Sequence, residues 1–133
     1  MSINGALVPA AAVVAVDVGK TMAAVLITDA GRQRLLGPFS FSMTALGVDG
    51  VIRKARAVLP AGVIRVGVEA AGHYHRPLAT PMVWPGWEVV ELNPAHVTEQ
   101  RRAMGRRRVK TDALDLEAMT ELLLAGRGVL VHP

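Results

Sequence analysis

Two rhythms of apolar and polar residues divide this chain into elements. Val13–Val18 is a nearly continuous β-branched run, the mark of a strand covered on both faces. Gly19 turns the chain, Met22–Thr28 supplies a second strand, and Asp29-Ala30-Gly31 reads as a turn. Leu35–Ser42 completes an antiparallel meander, and Pro38 argues for an edge because proline offers no N–H to a central ladder. From Ala45 to Leu59 the period lengthens: Leu46, Val51, Ile52, Ala55 and Leu59 recur at helical spacing until Pro60 and Gly62 end the helix. Val63–Glu69 is another buried strand, His73–Thr80 a short helix stopped by Pro81, and Trp87–Leu92 a further strand. Asn93-Pro94 has the form of a helix start, Asn as cap and Pro at the first helical position. That helix runs to about Met104, where Gly105 breaks it. After an arginine-rich connector, Thr111 caps a last helix to about Ala125, closed by Gly126 and Gly128.

The order βββαβαβαα, a three-strand meander followed by strand–helix units, predicts a mixed α/β sheet of the ribonuclease H-like kind with flanking helices. Residues 1–10 read as a leader, 11–128 as one domain and 129–133 as a tail. At 133 residues the chain is long enough to bury a core of its own. Half of it is apolar, which excludes disorder and a coiled coil, and aromatics are so scarce that Val, Leu and Ala must fill the interior. The absence of cysteine rules out disulfides and thiolate metal sites. The longest apolar stretch, Ala6 to Val16, is broken by Pro9 and falls short of the roughly 20 residues a bilayer span needs. It also lacks the features of a secretory signal, so the expected location is the cytoplasm, with no membrane partner.

Charge changes this picture through its placement. The net charge is only +4, but between Arg101 and Lys110 there are six basic residues and no acid. Arg101, Arg102, Arg106, Arg107, Arg108 and Lys110 are therefore the candidate nucleic-acid-binding residues, against the plainer reading of a solvated connector. The preference for arginine suits bidentate phosphate contact.

Four acids carry the candidate chemistry. Asp17 and Glu69 each end a buried strand, in VVAVDVGK and IRVGVEAAG, just where the chain leaves the sheet. Asp112 and Asp115, in KTDALDLEAM, are three apart and so share a helix face. Gathered carboxylates are costly unless a cation neutralises them. They are candidate metal ligands for Mg²⁺ or Mn²⁺ and candidate catalytic residues at a phosphodiester. The plainer reading makes Asp17 a turn residue, Glu69 a solvated strand end, and the aspartates first-turn acids favoured by the helix dipole. His73 and His75, at i and i+2, do not share a helix face and suit packing better than metal. Lys20 is a surface lysine or a phosphate contact, and Trp84 with Trp87 reads as loop and core. Leu114, Met119, Leu122 and Leu123 form an apolar ridge that packs at home or against a second copy, leaving a homo-oligomer open.

VAVDVGKTMAAVLITD, VGVEAAGHYHRPLA, VVELNPAHVTEQRRAMGRRRVKTDALDLEAM and LLLAGRG, in that order, resemble the N-terminal catalytic domain of insertion-sequence-110 family transposases. These are the DEDD transposases, and the Piv-type DNA invertases are among them. The resemblance runs from about Val13 to Gly128, and its specific blocks are GHYHRPL and KTDALD. It implies a RuvC-like ribonuclease H fold whose acidic tetrad, Asp17, Glu69, Asp112 and Asp115, binds divalent metal. It also implies DNA as substrate and, in some members, direction by a structured RNA. Relatives continue into a second domain that supplies a serine nucleophile; that domain is expected to be absent here, leaving the strand-exchange machinery incomplete. Ala71 and Leu116 stand where relatives often have Thr and Ala. Two other functions fit less of the chain. One is a non-catalytic nucleic-acid-binding or assembly module, such as a truncated transposase regulator. The other is an actin-like or sugar-kinase-like ATPase fragment, suggested by DVGK before a strand but lacking a Gly-rich adenosine motif.

Overall fold

The first strand is buried on both faces, and its alternating side chains set up the two sides of the molecule. The structure is a computed structural model that describes residues 7–70, 72–105 and 112–132, with Asp112 described in its backbone alone. β1 (Ala12–Val18) pairs antiparallel with β2 (Met22–Asp29), which pairs antiparallel with β3 (Arg34–Ser42). On its other edge β1 pairs in parallel with β4 (Ile64–Glu69), and β4 in parallel with β5 (Glu88–Leu92). A two-residue β6 (Val129–Leu130) joins β5 antiparallel, giving the order β3-β2-β1-β4-β5-β6. This is a mixed α/β sheet of the expected kind, and the order of its first five strands is that of a ribonuclease H-like fold. β3 lies at the edge, where Pro38 leaves no ladder partner unsatisfied.

Even-numbered residues of β1 and β4 face one layer. There Val14, Val16, Val66 and Val68 pack with Val48, Val51 and Ala55 of α1 (Ala45–Val58) and with Trp84 and Trp87. Odd-numbered residues face the other layer, where Val13 and Ala15 pack with Val97 of α2 (Pro94–Ala103) and with Leu116, Met119, Leu122 and Leu123 of α3 (Asp112–Leu124). Most of the apolar ridge foreseen on the last helix is thus spent at home. Local signals hold each helix in place. Thr44 Oγ1 accepts from the Gly47 N–H at 3.1 Å, and Asn93 Oδ1 from the Ala95 N–H at 2.8 Å, each satisfying an orphan donor. At the end of α3 the Arg127 N–H donates to Leu122 O and the Gly126 N–H to Leu123 O, with Gly126 at φ 73°. That is a Schellman cap, which requires the left-handed conformation glycine tolerates.

Two elements differ from expectation. The helix anticipated over 73–80 is a single 3₁₀ turn, Arg76–Leu78, because Pro77 and Pro81 each remove an N–H from a short span. Within the segment read as a tail, Val129–Leu130 pairs with β5, and the Val131 N–H extends the contact by donating to Val89 O at 2.8 Å. Two residues are too few to show an alternation.

Candidate metal centre

The parity of the sheet decides where the strand-end acids point. Ala15 and Gly67 are register partners on β1 and β4, and both lie on the α3 side. Asp17 and Glu69 stand two residues further along their strands, so continuing that register sets them side by side on the same face. Adjacent strands are about 4.8 Å apart. α3 lies over this face because Gly67 has no side chain: a Cβ there would sit 2.5 Å from Leu123 Cδ2. Leu123 is fully buried over Gly67, and Asp115 lies two turns back toward the start of α3. The small residues at 15 and 67 therefore let the helix approach closely enough to bring its acidic end to the strand ends.

The electrostatics couple these acids. The Glu69 carboxyl is raised above the ordinary glutamate value, first by burial, then by the negative charges of Asp115 and Asp17, with the Arg101 guanidinium pulling the other way. Charges from β1, α2 and α3 thus act on one carboxylate of β4. Asp115 is itself engaged: Arg101 Nη1 donates to its Oδ1 at 2.5 Å, and both side chains are about 30% exposed (30% and 31%). Among the described residues no group of three or more His, Cys, Asp or Glu side chains is drawn together at metal-ligating spacing. Asp112 opens α3 one turn before Asp115, and its side chain lies outside the described residues. The donor chemistry nevertheless fits a hard divalent cation: carboxylate oxygens from separate elements, part-buried and mutually repelling.

Residues 14–132 match the sequence model of the insertion-sequence-110 DEDD family, described as transposase. The chain belongs to that family. No curated protein matches it. For this DEDD transposase domain, family membership supports a nuclease-like role in transposition with DNA as the substrate and divalent metal as the usual cofactor.

The basic residues divide. Arg101, read from the sequence as a nucleic-acid contact, turns inward to Asp115, whereas Arg102 is exposed on the same helix. Arg106, Arg107, Arg108 and Lys110 lie outside the described residues. Lys20 is exposed just beyond the Gly19 turn, which is tightened by the Gly19 N–H donating to Met22 O at 2.8 Å. The histidine pair does not join the acids. His75 is buried and its Nε2 lies 3.1 Å from Glu91 Oε2, while His73 is exposed. Glu91 has the parity of Val89, on the α1 side, so this pair sits across the sheet from Glu69. The tryptophans are structural. They stack at 5.4 Å with 13° between planes, and Trp84 Nε1 donates to Leu78 O at 2.8 Å, pinning the 3₁₀ turn to the core. Sequence reasoning missed the Arg101–Asp115 pair, whose only outward sign was an arginine ending one helix shortly before acids opening the next.

Proposed function

We propose that Asp17, Glu69, Asp112 and Asp115 hold Mg²⁺ or Mn²⁺ and that this domain acts on DNA phosphodiester bonds as the nuclease-like part of a transposase. The observation that carries this reading is the β1–β4 register, which sets Asp17 and Glu69 side by side on the face that α3 covers, with the charges of Asp17 and Asp115 both felt at Glu69. An ion bound there supplies positive charge against the anionic phosphate. The chain's own residues orient that phosphate: the strand ends fix Asp17 and Glu69, α3 carries the two aspartates, and the basic residues from Arg102 to Lys110 hold the backbone. A guide RNA directs the reaction and shares the basic residues, and the protein works in the cytoplasm. Among the described residues no helix is long and apolar enough to cross a membrane.

Melting of the full chain in chelator and in Mn²⁺ tests the reading. Linkage contributes about 2.7 kcal/mol at roughly 100 times Kd. Wild type should therefore melt several degrees higher with the ion, and Asp17→Ala and Asp112→Ala should abolish that gain. An unchanged Mn²⁺ response in both variants would sink the metal centre. One observation favours a second reading, a nucleic-acid-binding module that needs no metal: Asp115 already has a cation in Arg101. DNA binding that survives chelator and is indifferent to Asp17→Ala would select it.

A further inference from the structure

We propose that Arg101 is a stand-in cation, holding on Asp115 the place of a divalent metal, so that the Arg101–Asp115 ion pair and metal loading exclude one another. The inference rests on the metal-centre reading and adds to it a residue that sets how readily metal enters. Arg101 lies in the last turn of α2 and reaches across to the second turn of α3, with Nη1 2.5 Å from Asp115 Oδ1. The described arginines Arg32, Arg34, Arg53 and Arg65 pair with Glu121, Glu117, Asp49 and Glu88, all outside the four candidate ligands. Arg101 instead takes one of the four. Its charge also reaches Glu69, where it opposes the fields of Asp115 and Asp17. One guanidinium therefore serves two of the carboxylates that a cation would serve.

The competition follows from the chemistry of the two cations. A guanidinium does not surrender its charge near neutral pH, so there Arg101 yields Asp115 to a competing cation. A divalent ion brings twice the charge in a smaller volume and takes oxygen donors from several carboxylates at once. To gain Asp115 it must break a short, charge-assisted bond. The pair is part-exposed, so its contribution is modest. The cost of displacing it appears as weaker apparent metal affinity, by several-fold and up to about tenfold.

Calorimetric titration of the full chain with Mn²⁺, without nucleic acid, tests this on wild type, Arg101→Gln, Arg101→Lys and Asp115→Asn. Circular dichroism checks that each is folded. Arg101→Gln should bind Mn²⁺ several-fold more tightly than wild type. Arg101→Lys keeps the charge but loses the planar fork, and should fall between them; it carries the test if the glutamine variant does not fold. A purely supporting arginine predicts the opposite direction, since its loss would loosen Asp115 and weaken binding. Equal or weaker affinity in folded Arg101 variants, with wild-type binding still reduced by Asp115→Asn, overturns the stand-in and leaves the metal centre standing. No Mn²⁺ binding by wild type, or binding indifferent to Asp115→Asn, overturns both.

Discussion

Glu69 concentrates the physics of the site in one titration. Burial and the charges of Asp115 and Asp17 raise its pKa in the folded state, so the folded protein holds this proton more tightly than the unfolded chain does. Its contribution to stability is therefore fully present below the ordinary glutamate pKa and is lost as pH rises through the raised folded value. In chelator, the wild-type melting temperature should decline across that window relative to Glu69→Gln, which has no proton to lose there. Above the window Glu69→Gln should be the more stable of the two, the usual signature of a carboxylate kept for binding. A wild type whose pH–melting curve runs parallel to that of Glu69→Gln would contradict the coupling. That an acid should end each of two buried strands was legible from VVAVDVGK and IRVGVEAAG, because β-branched runs reveal strands and an acid cannot stay inside one unpaired. The pairing of Arg101 with Asp115 was not legible, since it depends on how α2 and α3 cross, and periodicity within either helix says nothing of that.

At the level of elements, the meeting of β4 with α3 depends on a missing side chain. Gly67 lies in the strand interior, where glycine ordinarily weakens a strand, and it is kept clear by Leu123. Gly67→Ala should destabilise the domain by about 1–3 kcal/mol, because Leu123 is fully buried and has no room to withdraw. Removing bulk from the other side in Gly67→Ala/Leu123→Ala should restore part of the loss, giving a coupling of opposite sign to the single effects. Additive single and double effects in chemical denaturation would show that α3 docks without this close approach. Helix displacement should also weaken metal binding, since it draws Asp115 from Glu69. The strands β1–β5 and the three α-helices were readable because each carries its own period and its own stops: Asn93-Pro94 opens α2 and Gly126 closes α3. What escaped were elements without room for a period. The proline-bounded 3₁₀ turn at Arg76–Leu78 is held by Trp84, and β6 by the edge of β5, both contacts distant from any local signal.

Across the whole molecule, five of the described arginines are neutralised locally, while positive charge accumulates in sequence where the chain is most basic. Arg32, Arg34, Arg53, Arg65 and Arg101 all have carboxylate partners, and Lys54 lies 4.5 Å over the Phe39 ring. The net charge of +4 is thus weighted toward the 101–110 run, in which Arg102, Arg106, Arg107, Arg108 and Lys110 follow one another with no acid between them. Under the proposed function, DNA that exchanges its counterions for those side chains should bind with an affinity that falls steeply with salt. Replacing Arg102, Arg106, Arg107 and Arg108 together by Gln removes up to four phosphate contacts. It should reduce the slope of log K against log salt by roughly 3 to 4, at about 0.9 per neutralised phosphate of duplex DNA. Fluorescence anisotropy on a labelled duplex over a range of KCl concentrations measures that slope directly. None of these residues is a proposed metal ligand, so Mn²⁺ binding should persist in the same variant, unlike in Asp112→Ala. A reduced slope with metal binding retained would separate the grip on the backbone from the centre that cuts it. An undiminished slope would assign DNA binding elsewhere, with exposed Lys20, three residues after Asp17 in sequence, the first place to look.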